Sequence, residues 1–318
     1  MQIKFDIIIP YFNEEKIIYR TLNQLNNLII KPNKIIFINS KSNDKSYNLL
    51  NEYIAQKKIT NWENHDTDLR TPSEAKNFGI QKSKAEWCAF MDFDLYFDKY
   101  WTKNQLDKIN TNNEYDIIFG VVNILPSKYF DKLAIAQTYG INSMSPVIPS
   151  SFIKREFFYA NGFFMPYRSH YDRVFINSVL KKKSNYVIND KVKISYFNTA
   201  YANNMFELII KVINYSIQII YFPKTFFPYL YLLFSIFYFS LFFIDFSYFI
   251  FLSLPYVLIR GIIIPIKKNN HVKTFIFKNF IPLFLVGFLI DISKSLGFII
   301  GAYGKIFGKK IRLDSIYK

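Results

Sequence analysis

Short apolar runs alternate with amphipathic stretches from residue 3 to about residue 124. This alternation is typical of the strand and helix units that build a mainly parallel sheet. Strands are predicted at 5–9, 34–39, 86–91 and 116–122, with a further candidate at 59–65, and helices at 14–28 and 44–56. The first three strands end in polar residues, and ligands of open α/β sheets bind at that edge. The pattern therefore predicts an α/β fold with a ligand site beside the strand ends.

The periodicity is weaker over residues 125–200, where two prolines, Pro146 and Pro149, stand close to Ser150. We expect strands and loops here, with one helix at 172–183. From about residue 203 the composition changes. A long apolar helix is predicted at 205–221.

Two long apolar runs follow, 225–244 and 246–266, and each is about long enough to cross a bilayer. We expect them to form a transmembrane hairpin. A third run, 280–303, contains Asp291 and Lys294, has basic flanks and is interpreted as an interfacial or re-entrant helix. The alternative is that all three runs are buried helices of a soluble protein.

The charge distribution favours the membrane interpretation. The net charge of +16 is concentrated in residues 151–318, which carry 22 basic and 7 acidic residues, whereas residues 1–150 carry 18 and 17. Basic residues beside apolar runs are attracted to anionic lipid headgroups, so a nucleic-acid partner is not expected. The basic loop around Lys267, Lys268, Lys273 and Lys278 predicts a cytoplasmic side for that loop and for the amino-terminal domain.

Two carboxylates, Asp92 and Asp94, stand directly after the apolar strand EWCAFM. Such a pair at a strand end can hold Mn²⁺ or Mg²⁺ and, through the cation, a diphosphate. Alternatively, Asp94 and Asp98 could cap the following helix. The three histidines are too scattered in the sequence to predict a zinc site.

Three segments in order, IIIPYFNEE, IIFINSKSNDKS and TPSEAKNFGIQKSKAEWCAFMDFD, resemble the inverting family 2 glycosyltransferases of the GT-A fold. The resemblance is strong over residues 3–125 and looser over 150–185. It implies a nucleotide-sugar-binding half at 1–125, an acceptor-binding half at 126–202 and a membrane module at 203–318.

The resemblance places the nucleotide pocket at the ends of the first two strands. The matching residues are Pro10, Tyr11, Asn13, Glu14 and Asn39. Tyr11 or Phe12 could stack on the base. Asn39 stands where the family usually has Asp, and its amide oxygen can still accept a hydrogen bond from the base.

The same resemblance assigns Lys76 to the diphosphate and Asn77 to the sugar, with Arg70 as a further cation. Asp92 is expected to contact the sugar or ribose and to share the metal with Asp94. Ser42 and Asp44 are interpreted as caps of the helix that follows them.

Downstream, Asn161-Gly162-Phe163 and Tyr171-Asp172 resemble the acceptor region of the family, although Tyr171 stands where Glu is common. An inverting transfer needs a base for the acceptor hydroxyl, and Asp172 is the candidate. The alternative is that Asp172 is a helix N-cap.

Together these features predict transfer of a sugar from a nucleotide-diphosphate sugar, with UDP as the family-level expectation, to a glycan or lipid-linked acceptor. The expected setting is cell-surface polysaccharide or lipopolysaccharide synthesis at the inner membrane. Two alternatives stay open at this point: transfer to a polyprenyl phosphate, and an inactive membrane-anchored homologue that acts as an assembly partner.

Overall fold

The computed structural model describes residues 3–69, 71–112, 114–122, 126, 128–141, 145–167, 170–182, 184–196, 201–221, 226–269 and 272–308. The chain divides into two compact units. The first combines Met1–Asn123 with Met144–Phe197, and the second combines Ile124–Ser143 with Asn198–Lys318.

The strands all belong to the first unit: β1 (Phe5–Tyr11), β2 (Lys34–Asn39), β3 (Trp62–Asp66), β4 (Trp87–Phe90), β5 (Leu95–Tyr96), β6 (Ile117–Val122), β7 (Ser145–Lys154) and β8 (Tyr186–Tyr196). The helices are α1 (Ile18–Asn26), α2 (Ser46–Gln56), α3 (Pro72–Lys82), α4 (Trp101–Thr111), α5 (Tyr129–Gln137), α6 (Arg155–Asn161), α7 (Tyr171–Lys181), α8 (Met205–Ile219), α9 (Phe227–Ile244), α10 (Phe246–Leu258), α11 (Ile264–Lys268), α12 (Lys273–Lys278) and α13 (Phe280–Ile306). A π-helical turn, Ile259–Ile263, joins α10 to α11.

The strands of the first unit are ordered β3-β2-β1-β4-β7-β6-β8-β5. The β1–β2, β2–β3, β1–β4 and β6–β8 pairs are parallel, and β7 is antiparallel to both of its neighbours. The predicted α/β architecture with a mixed, mainly parallel sheet is confirmed. All seven residues of β1 are buried, which explains why it reads as a continuous apolar run.

Helix α3 packs closely on β1 and is defined by its own amino-terminal sequence. Thr71 accepts a hydrogen bond from the Glu74 backbone N–H, and the Glu74 carboxylate accepts one from the Thr71 N–H, which forms a capping box ahead of Pro72. A Cβ on Gly79 would lie 2.4 Å from an Ile8 methyl carbon, so only glycine permits this approach. The helix thereby brings Lys76 and Asn77 to the sheet.

The proline-containing segment is the central strand β7, which the sequence pattern left unassigned. The register between β6 and β7 shifts between Ile118 and Gly120, and Ser150 has a positive φ of 72°. Prolines occur within sheets mainly at such irregularities, because they cannot donate to the ladder. The irregularity explains how Pro146 and Pro149 fit into an interior strand.

In the second unit, α5 packs against helices that follow it by more than a hundred residues. Leu133, Ala134 and Ala136 share a buried apolar cluster with Ile276 and Leu283. Polar contacts reinforce this packing: the Gln137 side-chain amide donates to the carbonyl oxygens of Arg260 (2.6 Å) and Leu283 (2.7 Å). The segment around α5 is therefore part of the carboxyl-terminal unit, although it lies between β6 and β7 in the sequence.

Three helices of the second unit are long and apolar enough to cross a membrane: Phe227–Ile244, Phe246–Lys268 and Phe280–Ile306. They match the three predicted apolar runs. Length and composition thus indicate membrane association, and the interfacial placement of the third helix stays a prediction.

One charged network links these three helices. The Asp291 carboxylate on α13 accepts hydrogen bonds from Tyr231 of α9 (2.6 Å) and Tyr256 of α10 (2.8 Å), and it is paired with Arg260 in the π-helical turn. Wide helical turns of this kind leave backbone carbonyls without their usual partner, and Gln137 binds the carbonyl of Arg260.

Candidate functional site

The ends of β1, β2 and β4 meet at one edge of the sheet. Tyr11 is paired with Asn39 in the parallel register, and the Met91 N–H donates to the Ile8 carbonyl at 3.1 Å. Because Asp92 follows Met91 directly, it lies at the carboxyl end of β4, next to the parallel strand β1, which in turn is paired with β2. The site predicted at this edge therefore has its main residues close together.

The loops that follow β1 and β2 are held to each other by side-chain hydrogen bonds. The Asn13 N–H donates to Ser42 Oγ (2.9 Å), the Asn13 side-chain oxygen accepts from the Asn43 N–H (2.9 Å), and the Glu14 N–H donates to Ser46 Oγ (2.7 Å). Asn13 has a positive φ of 58°, a conformation that Asn tolerates better than most residues. These contacts fix Glu14 at the strand edge.

The predicted capping roles of Ser42 and Asp44 need correction. The N-cap of α2 is Lys45, which makes no side-chain cap, and Ser42 bonds instead to Asn13 and Asn39. Asp44 precedes the cap and accepts from the backbone N–H groups of Ser46 and Glu15. Its role is to join the two loops as much as to begin the helix.

The amide of Asn39 is already engaged inside the protein. Its oxygen accepts from the N–H (3.1 Å) and hydroxyl (2.6 Å) of Ser42, and its nitrogen donates to Asp66 Oδ1 at 2.7 Å. Asp66 is exposed at the end of β3, so a carboxylate does stand at this edge, one strand away from the expected position. Asp66 was not among the predicted site residues, although it directly follows the candidate strand at 59–65 and so belongs to the same edge.

Tyr11 and Phe12 differ in how much surface they expose. Tyr11 is 3% exposed, packs on Phe93 at a ring distance of 5.6 Å and donates its hydroxyl to Asn64 (2.7 Å). Phe12 is 46% exposed. Of the two candidates for stacking on a base, Phe12 offers the accessible ring, and the stacking itself stays a prediction. Pro10 lies within β1 and is buried.

Lys76 is fully buried and bridges two elements. Its ammonium group lies 2.5 Å from Asp92 Oδ1 and 3.0 Å from the Tyr171 hydroxyl. Burial alone would lower the pKa of Lys76, but Asp92 and Tyr171 together raise it above its ordinary value. Lys76 is therefore not an exposed helix charge but a buried, ion-paired group.

We call Glu14, Lys76, Asp92 and Asp94 the donor cluster. Burial, with a smaller effect from Asp94, raises the pKa of Glu14 to about 7. Burial and the nearby Asp92 raise the pKa of Asp94 to about 6. Three carboxylates thus share a partly buried region with one ion-paired lysine, an arrangement that a divalent cation would stabilise.

The carboxylates of Asp92 and Asp94 fit a cation that also takes oxygen ligands from a substrate. Among the described residues, no group of three or more His, Cys, Asp or Glu side chains converges on a possible metal position. Asp92 and Asp94 could therefore supply only part of a coordination shell, and diphosphate oxygens and water would complete it. The alternative that Asp94 caps a helix is wrong, because β5 follows it and α4 begins only at Trp101.

Asn77 holds a loop against α3. Its amide nitrogen donates to the Phe164 carbonyl (2.8 Å), and its oxygen accepts from the Phe164 N–H (3.0 Å). Its expected contact with the sugar stays a prediction. Arg70 lies outside the described residues.

Asp172 is the second residue of α7 and is half-buried. Its carboxylate accepts from the Arg173 N–H at 2.7 Å. The N-cap is His170, with a φ of 63°, so the alternative that Asp172 itself is the N-cap is wrong. Tyr171, directly before it, contacts Lys76, which links the start of α7 to the donor cluster.

Comparison with known proteins places these features in a family. Residues 6–188 match the family model of glycosyl transferase family 2. No curated protein sequence is similar enough to this chain to count as a match.

Among solved structures, the chain is similar to the mannosyltransferase PcManGT from Pyrobaculum calidifontis in complex with GDP-Man and Mn²⁺, with 14% identity and a TM-score of 0.52. That alignment covers 69% of this chain and 63% of the mannosyltransferase. A second similar structure is TarS 1-349 from S. aureus in complex with UDP-GlcNAc, with 13% identity, a TM-score of 0.48 and coverage of 98% of this chain and 93% of that one. The first of these likenesses shows the fold.

Proposed function

Because this chain belongs to glycosyl transferase family 2, we propose that it transfers a sugar from a nucleotide-diphosphate sugar to a glycan or lipid-linked saccharide with inversion. The family and the enzyme class predicted from the sequence are confirmed by the match, and the chain is a glycosyltransferase. Within the proposal, the donor is a UDP-sugar and the reaction belongs to cell-surface polysaccharide or lipopolysaccharide synthesis.

The donor cluster is the observation that carries the proposal. It places one buried ammonium group and three carboxylates at the ends of β1 and β4, where a nucleotide diphosphate needs both a cation site and a positive charge. The PcManGT structure contains GDP-Man and Mn²⁺, which supports a cation-assisted donor site here. A divalent cation held by Asp92 and Asp94 would neutralise charge on the departing diphosphate.

The proposed reaction is a single displacement. The acceptor hydroxyl oxygen forms a bond to the anomeric carbon while the bond from that carbon to the diphosphate oxygen breaks, and its electron pair leaves with the diphosphate. Asp172 takes the hydroxyl proton. Its carboxylate is half-buried and accepts one backbone N–H, so oxygen lone pairs stay available for that proton.

We further propose that the second unit attaches the enzyme to the inner membrane with the catalytic unit in the cytoplasm. The three apolar helices supply the anchor. The basic residues Lys267 and Lys268 end the second of them, and Lys273 and Lys278 lie between it and the third, where they would face anionic headgroups on the cytoplasmic side.

Nucleotide binding by the purified full-length protein in detergent tests the proposal. Specific ligands raise the melting temperature by mass action, so UDP with Mn²⁺ should raise it more than ADP or CDP does. Asp94→Asn should abolish the part of the shift that depends on Mn²⁺, whereas Asp107→Asn on the exposed face of α4 should retain it. If no nucleoside diphosphate raises the melting temperature in Mn²⁺, the proposed donor site is wrong.

A further inference from the structure

Among the described residues, two oxygen atoms lie within hydrogen-bonding distance of the buried Lys76 ammonium group, and one of them is the Tyr171 hydroxyl. The ammonium group is 3.0 Å from the Tyr171 hydroxyl and 2.5 Å from Asp92 Oδ1, and the Lys76 side chain has no exposed surface. A buried ammonium group is costly unless hydrogen-bond acceptors surround it. Both oxygens are therefore needed to keep this charge in place.

The two acceptors differ in how far their side chains are exposed to solvent. The Asp92 side chain is 30% exposed at the strand edge, where it can reach a ligand, whereas Tyr171 is 8% exposed and packs against Phe164 at a ring distance of 5.6 Å. A cation that binds Asp92 withdraws electron density from that carboxylate and repels Lys76. The ammonium group then depends more strongly on the neutral hydroxyl.

We propose that Tyr171 is a positioning residue: its hydroxyl retains the Lys76 ammonium group so that Asp92 can bind a divalent cation. This inference rests on the proposed function, because it takes Asp92 as a cation ligand. Tyr171 acts through Lys76 and touches neither the sugar nor the cation. Since Tyr171 begins α7, the same contact also places the neighbouring Asp172 relative to the donor cluster.

Binding of Mn²⁺ in the presence of UDP, followed by the electron paramagnetic resonance signal of unbound Mn²⁺, tests the proposal without turnover. Tyr171→Phe keeps the ring and removes the hydroxyl. A hydrogen bond to a charged group is worth enough that the Kd for Mn²⁺ should rise about tenfold. The Kd for UDP measured without Mn²⁺ should change by much less than this factor.

Tyr53→Phe is the matched control. Tyr53 is 3% exposed and donates its hydroxyl to Asn23 at 2.8 Å on the side of α2, so the variant loses a buried hydroxyl of the same kind. Its Mn²⁺ affinity should equal that of the wild-type protein. An equal loss of Mn²⁺ affinity in both variants would overturn the proposal, because the effect would then be structural.

Two further variants separate positioning from general damage. In a Lys76→Met background, Tyr171→Phe should cause no additional loss of Mn²⁺ affinity, and a further tenfold loss there would show that the hydroxyl acts independently of Lys76. Tyr171→Gln restores an oxygen acceptor, so its Kd for Mn²⁺ should lie within about threefold of the wild-type value. This variant also tests the proposal if Tyr171→Phe does not fold. Unchanged affinity in Tyr171→Phe contradicts this inference alone, whereas failure of the wild-type protein to bind Mn²⁺ overturns the proposed donor site as well.

Discussion

Burial raises the pKa of two carboxyl groups in the donor cluster, and this predicts a pH-dependent stability. The pKa of Glu14 rises from 4.5 to about 7 and that of Asp94 from 3.8 to about 6. Between the ordinary and raised values the folded protein keeps protons that the unfolded chain has released. The free energy of unfolding of the metal-free protein should therefore fall as the pH rises from about 4.5 to 7.

Melting temperatures in metal-free buffer between pH 5 and pH 8 would measure this fall. Glu14→Gln removes the titrating group and keeps its shape, so its profile should be flatter than that of the wild-type protein. Identical slopes in the two proteins would contradict the assignment of the raised pKa to Glu14.

Asp172 is predicted to matter for turnover and not for folding. Its one hydrogen bond among the described contacts comes from the Arg173 N–H, and an Asn side-chain oxygen can accept the same bond. Asp172→Asn should lower kcat by about 10²–10⁴-fold, as expected for loss of a general base, with an unchanged melting temperature. Asp107→Asn provides the control for a lost surface carboxylate. Near-normal kcat in Asp172→Asn would remove its assigned role.

The hydrogen bond between Asn39 and Asp66 can be tested by exchanging the two side chains. The Asn39 amide nitrogen donates to Asp66 Oδ1 at 2.7 Å, so Asn39→Asp would set two carboxylates against each other. Because Asn39 is 2% exposed and the new carboxylate would be buried against Asp66, we expect a loss of about 1–3 kcal/mol in the free energy of unfolding. The double variant Asn39→Asp, Asp66→Asn restores one donor and one acceptor and should recover this loss. If the single and double variants are equally unstable, the pair does not interact as described.

At the level of helices, the Arg260–Asp291 pair predicts strong coupling between the π-helical turn and α13. The side chains are 6% and 16% exposed, and Tyr231 and Tyr256 bond to the same carboxylate. Asp291→Leu leaves a buried guanidinium without its anion and should cost about 3–5 kcal/mol in the free energy of unfolding.

Unfolding in mixed micelles by SDS titration would measure this cost. Replacing both Arg260 and Asp291 with Leu should recover most of it, because a well-packed apolar pair is often as stable as a buried ion pair. Lys278→Gln, the loss of one exposed charge, should have little effect. Equal destabilisation of the single and double variants would contradict the coupling.

For the whole molecule, the structure predicts that a simple carboxyl-terminal truncation will not give a soluble catalytic domain. A fragment that ends at residue 202 retains α5 but lacks Ile276, Leu283 and Val286, against which α5 buries its apolar face. This fragment should aggregate on expression. A second fragment also ends at residue 202, but a short polar linker replaces residues 124–143 and so removes α5. This fragment should stay in solution and bind UDP. Soluble behaviour of both fragments, judged by size-exclusion chromatography, would contradict this prediction.

The sequence pattern was informative where structure is local. The strands β1, β2, β4 and β6 and the acidic pair after β4 follow from periodicity and from the order of motifs. The contact between Lys76 and Tyr171 joins residues that are 95 positions apart, and no periodicity reports such a contact. For the same reason, the sequence could not predict that α5 belongs to the second unit. The apolar face of α5 shows that the helix is buried, but not which helices bury it.

The position of α5 also has a consequence for synthesis of the chain. Gln137 is synthesised 146 residues earlier than Leu283, whose carbonyl oxygen accepts its hydrogen bond. At ordinary rates of translation that interval lasts roughly seven to thirty seconds. Until then the contacts of α5 with Ile276 and Leu283 are missing, so part of its apolar surface stays uncovered on the nascent polypeptide and is open to chaperone binding.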